Sequence, residues 1–413
     1  MKHILTFSML CMILVACNKQ TEKMTSSGIP IIPITCKNNQ ILNLSEFVDS
    51  IEIIPLETRD ECLIGWIPKI ISTKEYYLLI SAIGYDFQKL YVFDKKGNFV
   101  RQISTRGQGG DEFYEVRDFD VISDSIIKMA DAYATRTYNM EGKMLSSKRT
   151  TSRGQMELIH LEGNTFVYEG GAVSQDANNL LYALDNTDTR LDEFLEVPSL
   201  AAHISRYFGM QNSLTKDDKS IYFNHPFSNY IYRINPSTFE YKIAYQIDYG
   251  NKNFTWDMFD ENGKIEDWSD YRKKQNNIMA LSELQSIGDY FLFSSSMATS
   301  DEPYSGCISL YSTKTGKILT GHQIKDDMFF KGNQIKLKPR PGGTLTRHGN
   351  DEDHLLWVLN PEILLKGYDA YKEILGESKW KLFRQKFPRL VEVCEQLDED
   401  SNPILLKIKL KEF

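Results

Sequence analysis

Short runs of alternating apolar and polar residues recur along the chain, separated by turns rich in Gly, Asp and Asn. The clearest is LYVFDKKGNFVRQIS, Leu90 to Ser104. One alternating strand enters Asp-x-x-Gly-Asn and a second leaves it, which predicts a β-hairpin with a glycine turn. The pattern returns from Thr135 to Arg149, Leu180 to Val197, Tyr230 to Ile247 and Cys307 to Ile324, with starts 45, 45, 50 and 77 residues apart.

Before each hairpin lies another apolar strand: Tyr76 to Ala82, Ser125 to Asp131, Thr165 to Gly171, Ser220 to Pro226 and Tyr290 to Ser296. A period of roughly 40–50 residues with several strands per unit points to β-propeller blades. A more degenerate copy, Gly343 to Gly349 followed by Leu355 to Pro361, brings the count to six. The expected fold is all-β: a six-bladed propeller of four-stranded antiparallel blades. The wide 77-residue spacing holds an insertion of helical character, Glu266 to Asn277.

The C-terminal region departs from the strand pattern. Residues 362–397 carry apolar positions three and four apart, which predicts helices broken at Phe387-Pro388. Residues 403–411 alternate again as a closing strand, and Ser50 to Thr58 reads as a strand at the other end. A ring needs closure because an open sheet edge invites aggregation. The pattern leaves open which terminal strand, or whether both, completes the last blade.

Composition refines the picture. The chain has 413 residues, 41% hydrophobic and 12% aromatic, enough for a large core. A formal charge of -8 without a basic run disfavours nucleic acid as a partner. The N-terminus opens with Lys2 and His3 and an apolar run from Ile4 to Val15, as in a secretory signal. It ends Leu14-Val15-Ala16-Cys17, the lipobox of bacterial lipoproteins. The expected domains are a signal peptide (1–16), a lipidated N-terminus and tether (17–45) and the propeller (46–413). Cys17 would be the lipidated residue and the membrane one partner. Asn18 favours the outer membrane, because the inner-membrane retention signal is an Asp. Cys62, Cys307 and Cys394 lack any CxxC spacing and read as small apolar residues.

Four stretches together carry a resemblance: IEIIPLET, LYVFDKKGNFVRQI, RGQGGDEF and NPILLKIKL. Over residues 41–413 the chain resembles the six-bladed β-propeller lipoproteins of Bacteroidetes, which are distantly similar to NHL-repeat propellers. The resemblance implies a fold and a cell-envelope address and brings no agreed activity. That family's loop usually reads Gly-x-Gly-Pro-Gly-Glu-Tyr. Here Gly110 and Asp111 stand in place of its Pro-Gly.

Candidate chemistry is sparse. RGQGGDEF lacks the Lys-Ser/Thr and following helix of a phosphate loop. It reads as a connection between blades, its glycines supplying positive φ angles. No Gly-x-Ser-x-Gly occurs, and no histidine has an evident nucleophile beside it. Carboxylate and amide oxygens at Asp118, Asp120, Asp131, Asn224 and Asp351 could line a channel, as in gluconolactonase-like lactonases that hold a divalent ion. Acids also end strands and form turns, as Asp94 and Asn98 do. The preferred ligand face is the one shared by the D–A and B–C loops, with Tyr85, Arg106, Asp111, Tyr133, His225, Phe227, Tyr304 and His348 as candidates. Aromatic side chains there suit sugars or peptides. The expectation is a non-catalytic binding or scaffold protein for a glycan, peptide or protein, without a cofactor. A metal-dependent lactonase or hydrolase is the alternative.

Overall fold

A computed structural model of the protein describes residues 24–35, 40–83, 87–107, 109–132, 134–149, 155–169, 179–196, 214–224, 228–253, 279–297, 306–330, 336–337, 350–351 and 353–413. The N-terminal part supplies β1 (Ile31–Pro33), β2 (Ile41–Asn43), the short α1 (Leu44–Phe47) and β3 (Val48–Pro55). Blade 1 is β4 (Ile70–Ser72), β5 (Tyr76–Ile83), β6 (Phe87–Asp94) and β7 (Phe99–Ile103). Blade 2 is β8 (Val116–Ile122), β9 (Ile126–Asp131), β10 (Ala134–Asn139) and β11 (Met144–Arg149). Blade 3 is β12 (Gln155–Leu161), β13 (Asn164–Glu169), β14 (Asn179–Leu184) and β15 (Arg190–Glu196). Blade 4 is β16 (Leu214–Lys216), β17 (Ile221–Asn224), β18 (Tyr230–Ile234) and β19 (Tyr241–Asp248). Blade 5 is β20 (Met279–Ile287), β21 (Tyr290–Met297), β22 (Cys307–Ser312) and β23 (Ile318–Gly321). After β24 (Gln323–Lys325) and β25 (Lys336–Leu337), blade 6 begins with β26 (Asn350–Asp351) and β27 (His354–Leu359). Two helices follow, α2 (Pro361–Lys386) and α3 (Pro388–Gln396), then β28 (Ile404–Leu410).

The fold is a six-bladed β-propeller of four-stranded antiparallel blades. The first strand of each blade lies innermost, and these inner strands touch around a central channel. In the central strands of a blade, period-two alternation sends successive side chains to two different blade interfaces. In blade 1, Leu78, Ile80, Leu90 and Val92 pack toward blade 2. Tyr77, Leu79, Tyr91 and Phe93 point the other way and pack against Ile54, Leu356 and Leu405 of blade 6. Both faces are therefore core, each large side chain contributing roughly 1.5–3 kcal/mol of burial.

Both termini close the ring. The sheet order of blade 6 is β26-β27-β28-β3, so an N-terminal strand forms the outer edge beside the C-terminal one. The register pairs Leu406 with Ile53 and Ile408 with Ile51. Residues 29–43, tether by composition, are instead partly folded. β1 adds in parallel to β19 at the rim of blade 4. β2 adds in parallel to β24, which continues the rim of blade 5. These three-residue strands hold because the neighbouring edge supplies hydrogen bonds and because Ile32 and Leu42 are buried against it.

The helices interrupt blade 6 between β27 and β28. Asn360 caps α2 by accepting the Glu362 N–H at 2.9 Å, with Pro361 at the first helical position. Gly376, at φ 66°, kinks it, and the expected break falls at Phe387-Pro388. Leu364, Tyr368, Tyr371, Trp380 and Phe383 pack in one core with Leu42, Leu44, Phe47 and Phe330. Cys62, Cys307 and Cys394 are buried, as small apolar residues would be, and form no disulfide among the described residues. Among the described residues no helix is long and apolar enough to cross a membrane. The helical insertion expected at 266–277 lies outside the described residues.

Candidate functional site in the central channel

Alternation along β8 turns Phe119 into the core between blades and Asp118 and Asp120 toward the channel. Both acids are almost fully buried, at 2% and 3% exposure. Their oxygens reach the next inner strand. Asp118 accepts the Leu158 N–H at 2.8 Å and Asp120 the His160 N–H at 2.6 Å. The device repeats around the ring, where Glu157 accepts the Leu214 N–H at 2.8 Å and Thr215 Oγ1 the Ser286 N–H at 2.9 Å. Side chains thus supply the acceptors that a neighbouring strand would give in a continuous sheet, meeting the demand of buried amides.

Cations complete the arrangement. Lys69 Nζ lies 2.8 Å from Asp118 and Lys216 Nζ 2.6 Å from Asp120. Lys216 also donates to the His160 carbonyl at 2.8 Å. Burial alone would raise the Asp120 carboxyl, but Lys216, Lys69 and the His160 N–H outweigh it and hold its pKa below the ordinary value. Burial pushes the His160 imidazole down to about 4 despite Asp120, so it stays neutral and meets Thr165 Oγ1 at 3.0 Å.

Two of the other oxygen candidates, Asp131 and Asp351, have partners elsewhere. Asp131 accepts the N–H groups of Tyr114, Glu115 and Ala132 and pairs with Arg136 Nε at 2.7 Å. Asp351 on β26 takes Ser72 Oγ at 2.7 Å, Lys407 at 2.5 Å and Lys95 at 3.3 Å. Asn224 is buried at the end of β17. Among the described residues, no three His, Cys, Asp or Glu side chains converge as a metal would require. At Asp118 and at Asp120 an ammonium group stands against the carboxylate. The sequence flags the acids, but Lys69, Lys216, Lys95 and Lys407 come from other parts of the chain and carry no local signal.

The connection from β7 to β8 contains RGQGGDEF and joins blade 1 to blade 2, as its alternating flanks imply. The reason for its glycines differs from expectation. Neither Gly107 nor Gly110 has a positive φ, and Ser104 takes that geometry instead at φ 55°. Gly107 leaves room for the Glu112 carboxylate, which would meet its Cβ at 1.9 Å and which accepts the Gly109 N–H at 2.7 Å. Phe113 is fully buried beneath the loop. Arg106 donates to the Tyr114 carbonyl at 3.0 Å and lies over its ring. Asp111 is exposed, and its carbonyl accepts from Ser104 Oγ and Tyr138. The structure thus places Arg106 and Asp111 on one connection. Cys17, Tyr85, Tyr133, His225, Phe227, Tyr304 and His348 lie outside the described residues.

A cavity of about 230 Å³ occupies the half of the channel nearer the A–B turns, between blades 1 to 5. Lys69, Asp118, Asp120, Glu157, Lys216 and Gln285 give it polar points among Ile71, Val121, Ile159 and Leu284. Sequence reasoning favoured the opposite face, because loops are easier to read than the short inner strands that line this cavity.

Ring and channel define a six-bladed β-propeller with a polar central cavity. The chain belongs to the family described as a domain of unknown function, DUF4934, which matches residues 29–409. None of the curated proteins matches it. Among solved structures, a Bacteroides fragilis protein described as exported is similar at TM-score 0.67 and 18% identity, covering 92% of this chain and 100% of its own. The extracellular domain of a one-component system from B. thetaiotaomicron is similar at TM-score 0.35 and 14% identity, over 65% of this chain and 29% of its own.

Proposed function

We propose that the protein is a non-catalytic binding or scaffold protein of the cell envelope, held to the outer membrane through Cys17. Its partner is a glycan, peptide or protein. The lipobox supports the address, as does the structural neighbour described as exported. One observation carries the function. Asp118 and Asp120, two of the five channel oxygen candidates, each accept a backbone amide and pair with a lysine. Such groups organise a scaffold and polarise a bound molecule. The test pairs two assays on the full chain: turnover of lactone and ester substrates with and without Ca²⁺ or Zn²⁺, and capture on glycan and peptide arrays. Capture without turnover is expected. Metal-dependent turnover abolished by Asp120→Asn would establish the lactonase instead.

A further inference from the structure

We propose that the A–B half of the channel is a binding site for a small, uncharged, polyhydroxylated molecule of monosaccharide size. This rests on the binding reading above and deepens it. At about 230 Å³ the cavity lies below the roughly 300–1,000 Å³ of pockets for drug-sized ligands, so its occupant is small. Both of its lysines are paired within the wall, Lys69 with Asp118 and Lys216 with Asp120, and the Glu157 carboxylate accepts the Leu214 N–H. A charged guest would have to break a buried pair, which is costly. A neutral one meets fixed dipoles.

Hydrogen-bonding capacity remains on both sides of the balance. An ammonium group has three N–H donors. Among the described residues Lys216 uses two, on Asp120 and the His160 carbonyl, while Lys69 meets one carboxylate oxygen, of Asp118, and lies over the Phe119 ring. Thr215 Oγ1 accepts from Ser286, which leaves its hydroxyl hydrogen to give. On the accepting side, Gln285 Oε1 is buried and has no hydrogen-bond partner among the described residues. A lone acceptor, spare donors and the aliphatic Ile71, Val121, Ile159 and Leu284 call for a guest that both gives and takes hydrogen bonds and has C–H faces. A vicinal polyol has that character. No aromatic side chain lines the described cavity, so a flat aromatic guest finds no stacking partner.

The test is calorimetry and thermal unfolding of the full chain with three probes: D-glucose, N-acetyl-D-glucosamine and myo-inositol. At least one is expected to bind and to raise the melting temperature, with an affinity that changes little with added salt. Gln285→Met keeps the side-chain volume and removes the unpartnered acceptor. It is expected to weaken binding by about tenfold or more while leaving the unliganded protein as stable or more stable. The assignment is overturned if none of the three probes binds, if Gln285→Met binds as the parent does, or if affinity falls steeply with salt. Should polyol binding fail while array capture persists, the channel assignment falls and the broader binding reading stands.

Discussion

Asn402 joins the C-terminal strand to the segment after β3. Its side chain is buried, accepts the Ile64 N–H at 2.9 Å and donates to the carbonyls of Glu57 and Cys62. Asn402→Ala would orphan three backbone groups and is expected to cost about 2–4 kcal/mol in urea unfolding. Gly97 acts at the same seam. Its φ is 88°, and a Cβ there would lie 2.2 Å from the Pro55 carbonyl. Gly97→Ala should cost at least about 2 kcal/mol, whereas Gly163→Ala, with nothing within 4 Å, should cost only its positive-φ strain. His160 gives a pH signature. Its folded value of about 4 lies below the ordinary 6.5, so the unfolded chain takes up the proton first as pH falls. Its contribution is full above about pH 6.5 and lost by about pH 4, up to roughly 3 kcal/mol. His160→Gln should flatten the stability profile across that window, and an unchanged slope would refute the assignment. These residues were only partly legible. NPILLKIKL and LYVFDKKGNFVRQI stood out in the sequence, yet only the fold shows that they meet IEIIPLET at the blade 6 to blade 1 seam.

At the scale of elements, the blade hairpins were legible because an Asp or Asn recurs at the turn. Asp94 accepts the N–H groups of Lys96 and Asn98, Asp185 those of Thr187 and Thr189, Asn235 those of Ser237 and Thr238, and Asn139 that of Lys143. The inner strands were harder to read. β16 has three residues and β26 two, too few for alternation to register. β1 and β2 were missed because their order comes from an edge far away in sequence. Gly321 offers a handle on β2, since its Cβ would come within 2.6 Å of the Leu42 Cβ. Gly321→Val should pry β2 from the rim and release Leu42, Leu44 and Phe47 from the helix core. The expected readout is faster proteolytic cleavage within residues 24–47 and about 2 kcal/mol lost. Unchanged cleavage would show that β2 is dispensable.

For the whole molecule, the decisive feature is that neighbouring blades are joined at two depths. Outside, both termini share blade 6. Inside, Asp118, Asp120, Glu157 and Thr215 tie successive inner strands together. A ring built this way uses its channel acids to hold itself together, and the hydrolase alternative asks the same acids to hold a metal. Sequence alone could not separate the two readings, because an aspartate looks the same in either role until its partners are known. The most direct measurement is thermal unfolding of the full chain with Ca²⁺, with Zn²⁺ and with a chelator. The structural reading predicts melting temperatures that agree within about 1 °C, and a loss of stability in Asp120→Asn that is the same in all three. A divalent ion that raises the melting temperature by several degrees in the parent, and does nothing for Asp120→Asn, would contradict it.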